Sequence, residues 1–260
     1  KYSNDGALYT DTYNERIWNQ TYEMAKPTID MCEDYLVIYD KKGTQIYIMT
    51  SQGLVSNIET TMTIEQVSIA AQGTVAVLMG DQSNSYLVVY DKNGKELVNG
   101  AIYGEDGGYP IAIALSNDAI KLAVSMLDIN DGNVKTTIAF YNFGSVGENE
   151  IDRIVSANSF SDMVIPQLDF VSDDRMVAYG DSEIAIFEGT QKPKLTQEIP
   201  LTGEAKSIFN NNKYVGVVYS NNDENLTHHV AVYDMHGFTV MEKDFSQEYT
   251  EIGFLSNNEV

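Results

Sequence analysis

"SYLVVYDKNGKELV", Ser85–Val98, decides the fold. An alternating apolar run meets Asp91-Lys92-Asn93-Gly94, and a second apolar run follows. That is the pattern of a β-hairpin closed by an Asx/Gly turn. A hairpin met once says little, but a hairpin that recurs at a fixed interval defines a repeat architecture. This one recurs. "TDTYNERIW" places Asp11 where Asp91 sits, and "MTSQGLV" places Gly53 with Gly94. "AFYNFG", "AIFEGTQ" and "AVYDMHGFTV" supply three more copies. The aligned positions are Thr10, Met49, Tyr90, Tyr141, Phe187 and Tyr233, at intervals of 39, 41, 51, 46 and 46 residues.

A second hairpin type alternates with the first. It reads "MCEDYLVIY", "AAQGTVAVL", "LSNDAIKLAV", "VSDDRMVAY", "FNNNKYVGVVY" and "LSNNEV", with turns near Asp34, Gly73, Asp118, Asp174, Asn212 and Asn258. One hairpin of each type makes a four-stranded unit of the length expected of a propeller blade. The strands are rich in β-branched and aromatic residues. No long window keeps a helical period. Pro27, Pro110 and Pro166 stand at the starts of first strands, where no ladder hydrogen bond is lost. The first strands, "TIDMC", "QVSIA", "IAIAL", "QLDFV" and "KSIFN", are expected to line a central channel.

The fold class is therefore all-β: a β-propeller of four-stranded blades, one domain over residues 1–260. Its partial first blade spans 1–24, five complete blades span about 25–248, and a partial last blade spans 249–260. Seven blades are expected in the whole protein. Six would result if the C-terminal inner hairpin paired with the N-terminal outer one.

Lys and Arg number 16 against 38 Asp and Glu, a formal charge of -22. Such a surface repels nucleic acid and anionic headgroups. Cys32 is the one cysteine, so no intrachain disulfide can form. No apolar run reaches membrane-spanning length and no signal peptide opens the chain. Both ends read as cut, which leaves an anchor or signal outside this segment open.

"RIWNQTYEM" (Arg16–Met24), "YNFGSVGENEID" (Tyr141–Asp152) and "FEGTQKP" (Phe187–Pro193) resemble segments of an uncharacterised β-propeller family of anaerobic Gram-positive bacteria. These belong to the quinoprotein/WD40-like superfold. The resemblance covers essentially the whole chain. It implies an extracytoplasmic domain tethered by one N-terminal membrane span, with no established activity. The residues alone leave a cytoplasmic location open.

Loops between second and third strands, and those between blades, share one face of a propeller. Tyr103, Glu105, Asp106 and Tyr109 come from one inter-blade loop, and Phe160 and Asp162 from the next. Asp128 and Asp131 lie in the longest internal loop, and Asp223 and Glu224 in another. Acidic groups and aromatic rings thus converge on one rim, a candidate binding surface. Counting from Asp128 as an EF-hand loop, the twelfth residue is Ala139 rather than a bidentate Glu, so an Asx-Gly turn explains the loop better. His228 and His229 are consecutive on a strand and face opposite ways, which disfavours a shared zinc. No metal and no cofactor is expected.

Motifs for nucleotide binding, zinc proteolysis and serine hydrolysis are absent. Trp18 is the one tryptophan, against a docking motif in most blades of quinoprotein dehydrogenases. The resulting expectation is a non-enzymatic binding module. A protein or peptide is the first partner class, a glycan the second, and nucleic acid is excluded. Membrane contact would come only through an anchor outside the segment. Two alternatives stand: an enzyme, as a carboxylate-using hydrolase or degenerate quinoprotein, and a structural or sensory ectodomain.

Overall fold

The computed structural model describes residues 1–81, 84–102, 108–221, 226–255 and 257–260. Its strands form six antiparallel sheets, each built from consecutive strands. The first has three strands: β1 (Tyr2–Ser3), β2 (Gly6–Thr10) and β3 (Arg16–Thr21). The other five have four each. The second holds β4 (Pro27–Cys32), β5 (Tyr35–Asp40), β6 (Gln45–Thr50) and β7 (Gly53–Glu59). The third holds β8 (Thr63–Ile69), β9 (Val75–Gly80), β10 (Ser85–Tyr90) and β11 (Glu96–Ile102). The fourth holds β12 (Tyr109–Leu115), β13 (Lys121–Asn130), β14 (Asn133–Asn142) and β15 (Ile154–Ser161). The fifth holds β16 (Gln167–Ser172), β17 (Arg175–Tyr179), β18 (Glu183–Glu188) and β19 (Lys194–Pro200). The sixth holds β20 (Ala205–Asn210), β21 (Tyr214–Ser220), β22 (His228–Asp234) and β23 (Thr239–Phe245). Helical structure among the described residues is confined to two three-residue 3₁₀ turns, Gly147–Asn149 and Ile151–Arg153.

The repeat has a physical signature. At all six aligned positions the ladder between the last two strands of the sheet slips by one residue, a β-bulge. The extra residues are Ile17, Val55, Leu97, Val155, Thr196 and Val240. A bulge increases local twist, which suits splayed radial sheets. The adjoining turns share their chemistry. Asp11, Asp91 and Asp234 each accept at Oδ1 the N–H groups two and four residues on, at 2.8–2.9 Å. Those turns close through Asn14, Gly94 and Gly237, at φ of 64°, 81° and 82°. Gly and Asn are the residues that tolerate this conformation best.

First strands β4, β8, β12 and β16 neighbour one another in that order, so they are the innermost. Apolar layers fill each gap between consecutive sheets. Between the fourth and fifth, Phe140 and Phe187 meet at 5.1 Å between ring centroids. The first-strand prolines sit as expected: Pro27 opens β4, Pro110 is second in β12, and Pro166 precedes β16.

Six sheets form where the sequence implied seven blades, and they are not closed into a ring. Past the sixth sheet the expected turn closes, the Leu255 N–H donating to the Glu259 carbonyl at 2.7 Å, but no further ladder forms among the described residues. Residues 246–255 join no ladder. Tyr249, Ile252 and Phe254 instead cover the apolar face of the sixth sheet. The Phe254 ring lies 4.8 Å from that of Phe209.

Candidate functional site

One end of the fourth sheet gathers most of the described rim residues. Tyr109 opens β12 and is 66% exposed. It pairs with Leu127 on β13. β13 and β14 run to ten residues each, longer than any other described strand, so their hairpin projects. Asp131 and Gly132 form its two-residue tip, at φ of 50° and 82°. Two successive positive φ values are the mark of a type I′ hairpin turn, which Asp-Gly suits. Asp128 faces Lys135 across the ladder. Ile129, 67% exposed, pairs with Val134. Side-chain alternation puts Tyr109, Leu127, Ile129 and Val134 on one face and Asp128 with Lys135 on the other. Asp162 closes the group, its N–H donating to the Val134 carbonyl at 2.7 Å.

Phe160 reaches the same end but faces inward. It is 7% exposed, and its ring meets Phe187 edge-on at 6.3 Å. Alternation along β15 turns this ring into the core, so it is no exposed anchor. Tyr103, Glu105, Asp106, Asp223 and Glu224 lie outside the described residues.

The histidines are dispersed. His228 lies against Phe245 and Tyr249, whereas His229 stacks on Tyr219 and bonds Asp244 at 2.7 Å. His236 belongs to an outer turn. Among the described residues no three His, Cys, Asp or Glu side chains converge to hold a metal ion.

A second polar constellation escaped the sequence reading. The innermost strands enclose a cavity of about 290 Å³ whose lining includes Asp30, Gln66, Ser68 and Asp169. Burial pushes the Asp30 carboxyl up to about 6, against the N–H bonds of Ile69 and Met31 and aided by the charge of Asp169. Burial also raises Asp169, opposed by the Asn210 amide. Each group ties neighbouring sheets. Asp30 accepts the Ile69 N–H at 2.9 Å, Ser68 accepts that of Leu115 at 3.0 Å, and Asn210 donates to Asp169 at 2.6 Å. An innermost strand has one unpaired edge, and these side chains satisfy part of it. The available signal was an Asp at the centre of "TIDMC" and of "QLDFV", polar residues in strands otherwise largely apolar.

Radial four-stranded sheets with a polar-lined centre define a β-propeller. Solved structures agree. The chain is similar to Kluyveromyces lactis Hsv2p, with a TM-score of 0.57, 12% identity, 90% of this chain and 70% of that one. It is similar to the Neurospora crassa Pan2 WD40 domain, with a TM-score of 0.51, 12% identity, 85% of this chain and 65% of that one. It is also similar to BBS1N in complex with ARL6DN, with a TM-score of 0.51, 16% identity, 81% of this chain and 62% of that one. At these identities the likeness shows the fold alone, and the chain spans 62–70% of those structures' lengths. Over residues 1–260 the chain belongs to DUF5711, a family of unknown function. Among curated proteins none matches it. Among the described residues no helix is long and apolar enough to cross a membrane.

Proposed function

We propose that this propeller is a non-enzymatic interaction module that docks a protein or peptide through the projecting end of its fourth sheet. The observation that carries this is the exposed pair of Tyr109 on β12 and Ile129 on the extended β13–β14 hairpin, which share one face, with Asp131 and Asp162 at the same end of the sheet. An exposed aromatic-aliphatic group with a charged surround has the composition of an interface centre. One of the similar structures is of BBS1N in complex with ARL6DN, which supports an interaction role. The family resemblance of the sequence supports an extracytoplasmic, membrane-tethered setting.

The test is capture from a cell-surface extract with the soluble domain, followed by binding kinetics on the isolated partner. Tyr109→Ala is expected to weaken affinity by about 2 kcal/mol, and Asp131→Asn at the hairpin tip by less than about 1 kcal/mol. The Asp change should act on the association rate and fade at high salt. Wild-type binding by both variants would remove this end as the site. A captured glycan would change the partner class.

A further inference from the structure

Three outer strands, β3, β7 and β15, are tethered to the next sheet by a side-chain hydrogen bond from beside the bulge, and β11 is not. The residue of each sheet's last strand next to the bulge is Trp18, Ser56, Val98, Ser156, Gln197 or Met241. Trp18 Nε1 donates to the Ser51 carbonyl at 3.1 Å, Ser56 Oγ to that of Lys92 at 2.7 Å, and Ser156 Oγ to that of Pro193 at 2.6 Å. Each acceptor is in the outer turn of the following sheet. Val98 on β11 has no group to donate. The turn it faces, residues 143–153, is enlarged to eleven residues against two to five elsewhere. In place of a tether lies a groove of about 450 Å³, lined by Leu87, Val98, Ile102, Tyr141, Phe143 and Ile154.

Two features make this opening more than a gap. β11 ends its sheet, so its outer edge carries no ladder, and a Cβ added at Gly100 would meet nothing within 4 Å. An extended chain can therefore approach that edge. The groove also holds Asp152 and Arg153 side by side, at φ of 53° and 62°. Such a conformation is strained for side-chain-bearing residues and persists where the surroundings enforce it. Arg153 makes only a long 3.5 Å contact to the Phe143 carbonyl, and among the described residues no carboxylate pairs with it.

We infer that the groove between β11 and the turn 143–153 binds an extended peptide, which adds to the β11 edge, buries an apolar side chain in the groove and sets a carboxylate on Arg153. Strand addition supplies backbone bonds and the pocket supplies selectivity. Adjacent opposite charges fit a peptide, which brings donors for Asp152 as well as an acceptor for Arg153, better than a simple anion.

The test is selection of a displayed random heptapeptide library on the whole chain. The expected outcome is enrichment of peptides with a large apolar residue near Asp or Glu. A synthetic representative should bind at least tenfold more weakly to Gly100→Trp and to Arg153→Gln, both with wild-type thermal stability, and equally well to Tyr109→Ala. No enrichment overturns the inference. So does undiminished binding by both groove variants, and so does loss confined to Tyr109→Ala, which would place the peptides on the fourth-sheet end.

Discussion

Gln66 on β8 forms both hydrogen bonds of a peptide pair with Ile113 on β12. Its Nε2 donates to the Ile113 carbonyl at 3.1 Å, and its Oε1 accepts the Ile113 N–H at 2.9 Å. One side chain thus imitates a strand partner across two sheets. Gln66→Leu keeps the bulk and removes both bonds. Leaving two partly buried backbone groups unsatisfied costs roughly 1–3 kcal/mol each. We expect a loss of about 2–4 kcal/mol in urea denaturation, and at least as large a loss at pH 7 for Gln66→Glu, whose carboxylate would face the Ile113 carbonyl in a cavity that already holds Asp30 and Asp169. No loss would mean that water replaces the amide freely.

Asp30 couples this inner ring to pH. Its folded value is raised from 3.8 to about 6, mainly by burial. A raised carboxyl binds its proton more tightly when folded, so its stabilising effect is full below about pH 4 and lost as pH rises through about 6. Asp30→Asn retains an oxygen for the Ile69 N–H and does not titrate. The variant should be the more stable at pH 7, on the order of 2 kcal/mol by the usual conversion of pKa shifts. That advantage should vanish by about pH 4. Stability curves of both proteins between pH 4 and 7 check this, and a constant difference would count against it.

The repeat was legible because it is local. Turn chemistry and strand alternation recur at Tyr90, Tyr141 and Tyr233, and these are bulge positions in the structure. The inner ring was not legible, because Asp30, Gln66 and Asp169 matter through partners 39–47 residues away. Phe160 shows the same limit. The sequence reading put it in an inter-blade loop, whereas it lies within β15 and faces Phe187 of the next sheet. The blade count escaped for a related reason. "EIGFLSNNEV" reads as an inner hairpin, and its turn does close, the Asn258 N–H donating to the Leu255 carbonyl at 2.9 Å, but no ladder forms there and Ile252 and Phe254 pack on the sixth sheet.

That face can be probed through Gly216. A Cβ there would lie 2.2 Å from the Phe209 ring, which packs at a tilt against Phe254. Gly216→Ala forces the ring aside, and overpacking of this kind costs about 1–3 kcal/mol. Because Phe254 leans on the displaced ring, limited proteolysis after residue 245 should also accelerate. A stable variant with unchanged cleavage would show that the C-terminal segment holds independently of Phe209.

Phe160 and Tyr109 separate core from rim at one end of one sheet. Phe160 is 7% exposed and packed against Phe187, whereas Tyr109 is 66% exposed. Truncating a buried Phe removes its transfer energy and leaves a cavity, together about 3–5 kcal/mol. Truncating an exposed ring changes stability by about 0.5 kcal/mol or less. Phe160→Ala should therefore lower the unfolding midpoint strongly, and Tyr109→Ala should leave it in place. The contrast matters for reading any binding defect. A loss of binding in Phe160→Ala could come from unfolding, but a loss in a fully stable Tyr109→Ala can only come from the surface. If Tyr109→Ala proves as destabilised as Phe160→Ala, the ring is part of the fold's support, and the fourth-sheet end loses its main candidate anchor.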